Sequence, residues 1–206
     1  MRKFWDLIVA AVMRCRIPIL TIFITYCVSC FIGIVMAHSG NNFALSQRDK
    51  LVGVAVKTDN ASINYQKGNN FKAALIDFSE NLFLGAVPKT FSGFSIFIPY
   101  VTVSMQGWVG GIVSVDGKHQ SRLTEFKSAF YYFLVLFLQF IPYSLATGAG
   151  VKCGIDFYHH NHTKGWLIWK YRIQKSSLRD LGLIYLLVIP LFFIASCYEF
   201  ISTWNV

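Results

Sequence analysis

At 206 residues the chain is 54% hydrophobic and 17% aromatic but only 14% charged, with a mean hydropathy of +0.48. That balance excludes an ordinary water-soluble domain. The formal net charge of +9 calls for no nucleic-acid partner, because basic stretches flanking apolar ones account for most of it.

Residues 1–16 carry Arg2, Lys3, Arg14 and Arg16 around Phe4-Trp5-Asp6-Leu7-Ile8-Val9, which predicts an amphipathic helix on the membrane face. Residues 17–37 follow without a charge, and a hydrocarbon core of roughly 30 Å needs about 20 such residues as a helix. A cleavable signal peptide fits less well, since 1–16 is too charged and 17–37 too long and bulky for its apolar core. His38 to Gly68, rich in Ser, Asn and Gly, reads as an exterior loop too small for its own core. In Asn69 to Pro88, Phe71, Ala74, Leu75, Phe78, Leu82 and Gly85 keep helical spacing while Lys72, Asp77, Glu80 and Asn81 interrupt it, so this segment either spans or lies in the interface.

Residues 91–115 and 128–151 are uncharged, and 181–201 is broken only by Glu199. β-Barrel alternation is absent from all these runs. The expectation is a single all-α membrane domain over 1–206, with about five spans at 17–37, 70–88, 91–115, 128–151 and 181–201. A short exterior link covers 116–127, and a basic segment covers 152–180. Basic residues collect on the cytoplasmic side. Five spans put four of the 19 inside in 1–16, one at a turn near Lys89 and six in 152–180, more than a four-span alternative does. The N-terminus is then cytoplasmic and the C-terminus exterior, as expected of a multi-pass protein of the cytoplasmic or inner membrane.

Two apolar runs carry small residues every fourth position. Gly107 and Gly111 share one helical face, and Ala146, Gly150 and Gly154 form a row on another. Such glycines weaken a helix in water but let backbones approach closely in a bilayer. These five are the expected helix-packing residues. Intramembrane polar groups are expensive and usually face the bundle interior. Asp77, Glu80, Gln106, Gln139 and Glu199 are the candidates for that interior, either as a polar seam or as a route for an ion, a proton or a lipid headgroup.

Lys152 to Asp180 interleaves Lys164, Lys170, Arg172, Lys175 and Arg179 with Trp166, Trp169 and Tyr171, which reads as an interfacial basic helix on anionic lipid, with a docking surface for a cytoplasmic ATPase as the alternative. Cys15, Cys27, Cys30, Cys153 and Cys197 indicate neither a disulfide scaffold nor a zinc site. His159, His160 and His162 beside Asp156 read as a histidine-rich interfacial loop, with no second cluster to complete a metal site. Asn60-Ala61-Ser62 and Asn161-His162-Thr163 match the glycosylation tripeptide, a pattern common by chance. No P-loop, G-x-S-x-G or H-E-x-x-H occurs, and no histidine lies near Ser104 or Ser144, so catalysis and a cofactor are not expected.

These residues carry a resemblance to the stage II sporulation protein M family of integral membrane proteins. Asn69-Asn70 opens the second segment, and Gly85 lies within it. Gln106-Gly107-Trp108-Val109-Gly110-Gly111, the stretch Ala146 to Gly154, and Ala195 to Thr203 with Glu199 follow in the family's order. Where the family often has a histidine-glycine pair and a glutamate, this chain has Val135, Leu136 and Gln139. The resemblance implies a non-catalytic five-helix membrane protein acting as scaffold or assembly subunit for envelope proteins. The residues leave a second class open, a permease-like subunit for a lipid or small solute, driven by a separate ATPase. Membrane lipids and other membrane or envelope proteins are the expected partners, and homo-oligomerisation stays open.

Overall fold

The computed structural model describes residues 2–161 and 173–202. Among them the chain is helical throughout, with no strand beyond an isolated bridge between Val115 and Ser121. The helices are α1 (Arg2–His38), α2 (Asn42–Thr58), α3 (Asn60–Gln66), α4 (Asn70–Ser79), α5 (Val87–Ser92), α6 (Ile98–Ile112), α7 (Phe126–Asn161) and α8 (Lys175–Ile201). A π-helical segment, Glu80–Ala86, joins α4 to α5, and a 3₁₀ turn, Gly93–Ser95, extends α5. Three helical stretches are long and apolar enough to cross a membrane: Lys3–His38, Phe126–His160 and Lys175–Ile201.

The sequence divides α1 into an amphipathic segment and a span, but the structure does not. Ile8, Ala11, Cys15, Pro18, Ile22, Tyr26 and Cys30 are buried at steps of three or four, and the stripe continues through Pro18. Continuous packing therefore outweighs the hydrogen bond that Pro18 cannot make. The opposite face exposes Ile17, Leu20, Ile24, Val28, Phe31 and Val35, the pattern of a lipid-facing surface. The stretch expected as an exterior loop holds two capped helices. Asn41 accepts from the Ala44 N–H at 3.1 Å and Asp59 from the Ser62 N–H at 2.7 Å, each satisfying an otherwise orphaned donor.

The run 91–115 is not one helix. Phe91 to Ser95 completes the element that begins at Asn70, the chain reverses at Ile96 and Phe97, and Pro99 sits in the first turn of α6. Ile96 has φ of 61°, a strained value for a β-branched residue, at the point of reversal. Apolar residues lie on both sides of this turn, so hydrophobicity alone could not locate it.

The central helix is α7, where every residue from Pro142 to Gly150 is buried. Around it, α1 packs most extensively with α6, α8 packs along α7, and α4 lies on α8. By contrast α6 and α7 barely touch. One end of the bundle is tied by the bidentate Arg14–Asp180 pair, at 2.6 Å for each bond, and by Lys152, Asp156 and Ser177. At the other end His38 meets Ser121 at 2.8 Å, Arg48 donates to the Val115 carbonyl at 3.3 Å, and His119 meets Asp49 at 2.9 Å.

Candidate functional site

The small residues stand where backbones meet. A Cβ on Gly107 would lie 2.7 Å from the Tyr26 carbonyl oxygen, and one on Gly111 would overlap the Cys30 carbonyl and come within 2.8 Å of the Gly33 Cα. Gly107 and Gly111 therefore bring α6 onto α1. On α7, Gly150 lies against Thr90, and a Cβ on Gly154 would sit 2.5 Å from the Gly93 carbonyl. Ala146 is fully buried, and its carbonyl accepts from the Thr90 hydroxyl at 3.1 Å. Sequence spacing did not single out the opposing glycines Gly33 and Gly93, because each stands alone in its own helix and its role depends on the partner.

Inside this packing lies a chain of polar contacts drawn from five elements. Asp77 Oδ2 accepts from the Ser196 hydroxyl at 2.6 Å and from the Asn81 amide at 2.9 Å. Asn81 Oδ1 in turn accepts from the Tyr143 hydroxyl at 2.6 Å. Above the Tyr143 ring sits the Lys89 ammonium, 4.0 Å from the centroid, and it donates to Gln106 Oε1. The Tyr26 hydroxyl donates to the same oxygen at 2.9 Å. One turn beyond Ser196 on α8, Glu199 Oε2 accepts from the Gln139 amide at 2.6 Å. Of the candidates read from sequence, Asp77 joins this network directly, and Gln106 and the Gln139–Glu199 pair belong to the same interior. Glu80 turns toward Asp59 instead.

Lys89 corrects the sequence reading most. Expected at a cytoplasmic turn, it points into the bundle. Pro88 lacks an N–H and its ring crowds the carbonyl four residues earlier, and the helix widens into its π-helical turn just before it. An extra residue in that turn rotates the succeeding side chains by about 100°, which carries Lys89 onto the inner face. Tyr26, Asn81, Tyr143 and Ser196 were also missed; the one sequence signal was that each is a hydrogen-bonding group inside an apolar run.

Where α6 and α7 separate, a cleft of about 850 Å³ opens. Its inner part is lined by Gln106, Gln139, Phe140 and Glu199, its walls by Tyr131 and Tyr132, and its mouth by Asp116, Arg122 and Glu125. Both tyrosines are pinned through their hydroxyls, Tyr131 to the Glu199 carbonyl at 2.7 Å and Tyr132 to the Gly110 carbonyl at 2.6 Å. At the mouth, the Gln120 backbone N–H, joined by that of Lys118, holds the Asp116 carboxyl below its ordinary pKa. That group stays charged at neutral pH.

The five cysteines are free. His159 and His160 are exposed at the end of α7, and no group of three His, Cys, Asp or Glu side chains among the described residues comes together as a metal site would require. His162, and with it Lys164, Trp166, Trp169, Lys170, Tyr171 and Arg172 of the predicted basic segment, lies outside the described residues. Comparison with known proteins adds no assignment: no family model, no curated protein and no solved structure matches the chain.

Proposed function

We propose that the protein is a non-catalytic five-span membrane subunit of permease type, whose polar interior forms part of a path for a small solute. One observation carries this reading: a cleft of about 850 Å³ leads from one end of an apolar bundle to the half-buried polar group Gln106, Gln139 and Glu199. Polar groups at this depth are costly unless they pair or line a solvated path. In a purely structural seam, neighbouring helices would close over them.

The five-span arrangement is part of the proposal. The Asn70–Ser95 element and α6 both expose large apolar side chains, among them Phe83, Leu84, Phe91, Val101 and Met105, as the three long helices do. With Lys89 inside, the end carrying the N-terminus and 152–180 holds ten basic residues and the opposite end eight. This favours a cytoplasmic N-terminus by a narrower margin. A separate ATPase docking on 152–180 would supply the drive, and the resemblance to the stage II sporulation protein M family is retained as the family reading.

A scaffold that recruits partners through its small-residue faces is the weaker reading, because those faces are spent within the bundle: Gly107 and Gly111 on α1, Gly150 and Gly154 on Thr90 and Gly93. The test is water access. In sealed vesicles, Gln139→Cys is expected to react with a charged, membrane-impermeant thiol reagent from the cleft side, and from the opposite side in a fraction of molecules, relative to the unsubstituted chain. Labelling from neither side would sink the path. Labelling from the cleft side alone would reduce it to a binding pocket.

A further inference from the structure

The cleft names its own ligand class. The whole protein is formally +9, yet the acidic residues lining this cleft, Asp116, Glu125 and Glu199, outnumber its single basic residue, Arg122. A cleft of one dominant sign, walled by low-dielectric protein, concentrates counter-ions of the opposite sign. The volume is far beyond that of a bare ion. The walls are aromatic: Tyr131, Tyr132 and Phe140 present rings, and the two hydroxyls are engaged with backbone carbonyls. Rings fixed in this way can meet a cation at little cost in side-chain entropy, although Phe140 already stacks on Tyr26 and Tyr131 on Tyr198. Gln139 has spent one amide N–H on Glu199, so its carbonyl oxygen and its second N–H are left for a ligand. The inner end thus offers the Glu199 carboxyl, the Gln139 carbonyl and aromatic rings, beside the Gln106 amide, whose oxygen is already engaged by Lys89 and Tyr26.

We infer that the cleft between α6 and α7 binds a small organic ammonium ion, a protonated alkylamine, with its charged head against Glu199 and the Gln139 carbonyl and its alkyl part along the rings of Tyr131, Tyr132 and Phe140. This rests on reading the cleft as a solute site and specifies the solute. An inorganic cation would leave most of the volume and the aromatic wall unused. An anion would meet an excess of acidic side chains with only Arg122 in its favour.

The test uses the purified full-length chain in mild detergent, with putrescine as probe, 1,4-butanediol as its neutral counterpart and sodium chloride at matched ionic strength. Radiolabelled putrescine is expected to bind saturably, with neither control competing. Glu199→Gln should weaken binding at least tenfold. Arg122→Gln should tighten it two- to fivefold, a gain that a merely damaged fold does not produce and one that keeps the question decidable if Glu199→Gln fails to fold. Asp6→Asn, exposed on α1 and outside the cleft, should bind as the unsubstituted chain does. Competition by butanediol equal to unlabelled putrescine overturns the inference, as does affinity unmoved by both cleft substitutions. The two proposals fail separately. If Gln139→Cys is labelled from both sides but putrescine does not bind, the path stands and the ammonium class falls. If putrescine binds but labelling comes from one side only, the ligand stands and the path falls.

Discussion

The two seams of α6 are built on opposite principles. Toward α1, Gly107 and Gly111 let the backbones meet, with Gly111 against Gly33 and the Cys30 carbonyl. Toward α7, Tyr132 and Phe140 hold the helices apart, and Gln106, Gln139 and Glu199 line the space that results. In a bilayer the hydrophobic effect does not close helix seams, because lipid is as apolar as leucine. Close packing is achieved only where side chains are small. A seam of aromatic residues remains open, and polar groups can be kept there without being forced into contact with lipid. Adhesion and polarity are therefore segregated on one short helix.

The sharpest way to break this contrast is to fill the closed seam. Gly111→Leu and Gly150→Leu must displace backbone, since their Cβ atoms alone would already overlap the Cys30 and Thr90 carbonyls. The expected cost is about 3 kcal/mol or more, at the upper end for overpacking. It should appear as loss of the monodisperse peak on size exclusion in mild detergent. Gly53→Leu and Gly182→Leu, where a Cβ meets nothing within 4 Å, should leave that peak unchanged. If all four variants behave alike, the closed seam is not held by its glycines.

Next in size comes the polar interior. Asp77→Ala removes the acceptor shared by Ser196 and Asn81 and leaves both donors without it. Stranding buried partners costs roughly 1–3 kcal/mol. Thermal denaturation should show the loss, and Asp77→Asn, which keeps an acceptor oxygen, should recover most of it. Equal loss in both variants would mean that charge, not hydrogen bonding, holds Asp77 in place.

How much of this was legible in the sequence varies by region, for physical reasons. Long apolar stretches announce themselves, and α1, α7 and α8 lie where the uncharged runs are. Spacing also found the rows Gly107–Gly111 and Ala146–Gly150–Gly154, because a small-residue row is a property of one helix. The pocket was not legible, because it depends on which helix fails to touch which. Nor could Lys89 be placed: its direction depends on a π turn beside Pro88, which strict 3.6-residue periodicity does not contain. Ile96 marks a turn with no change in hydropathy, and Asn41 and Asp59 were capping signals inside a stretch read as loop.

A smaller effect, of unusual sign, tests the centre of α7. The hydroxyls of Ser144 and Thr147 are buried and have no hydrogen-bond partner among the described residues. Burying an unpaired hydroxyl is unfavourable. Thr147→Val, close to it in shape, should therefore raise the melting temperature, by a stabilisation of about 1 kcal/mol. A fall instead would mean that a water or a ligand satisfies Thr147 in the membrane, and the closed core would then be wetter than its packing suggests.

The smallest effect lies outside the membrane, where Asp49 joins α2 to the 113–125 loop at the mouth of the cleft. Its carboxyl is held below the ordinary range chiefly by the hydrogen bond from His119, with a second from Arg48. A carboxyl whose folded pKa is depressed stabilises the fold above its unfolded pKa, and the contribution fades as pH falls through the folded value. For an aspartate that window lies below about pH 4. Both partners are solvent-exposed in part, so salt screens the pair and the effect is slight. Asp49→Asn should melt slightly lower than the unsubstituted chain at pH 6 in low salt, and the difference should vanish by pH 3 and in high salt. Because this contact holds the mouth rather than the closed seam, its loss should speed thiol labelling of Gln139→Cys while leaving the size-exclusion peak intact. Unchanged labelling would show that the loop is fixed by Arg48 on the Val115 carbonyl alone.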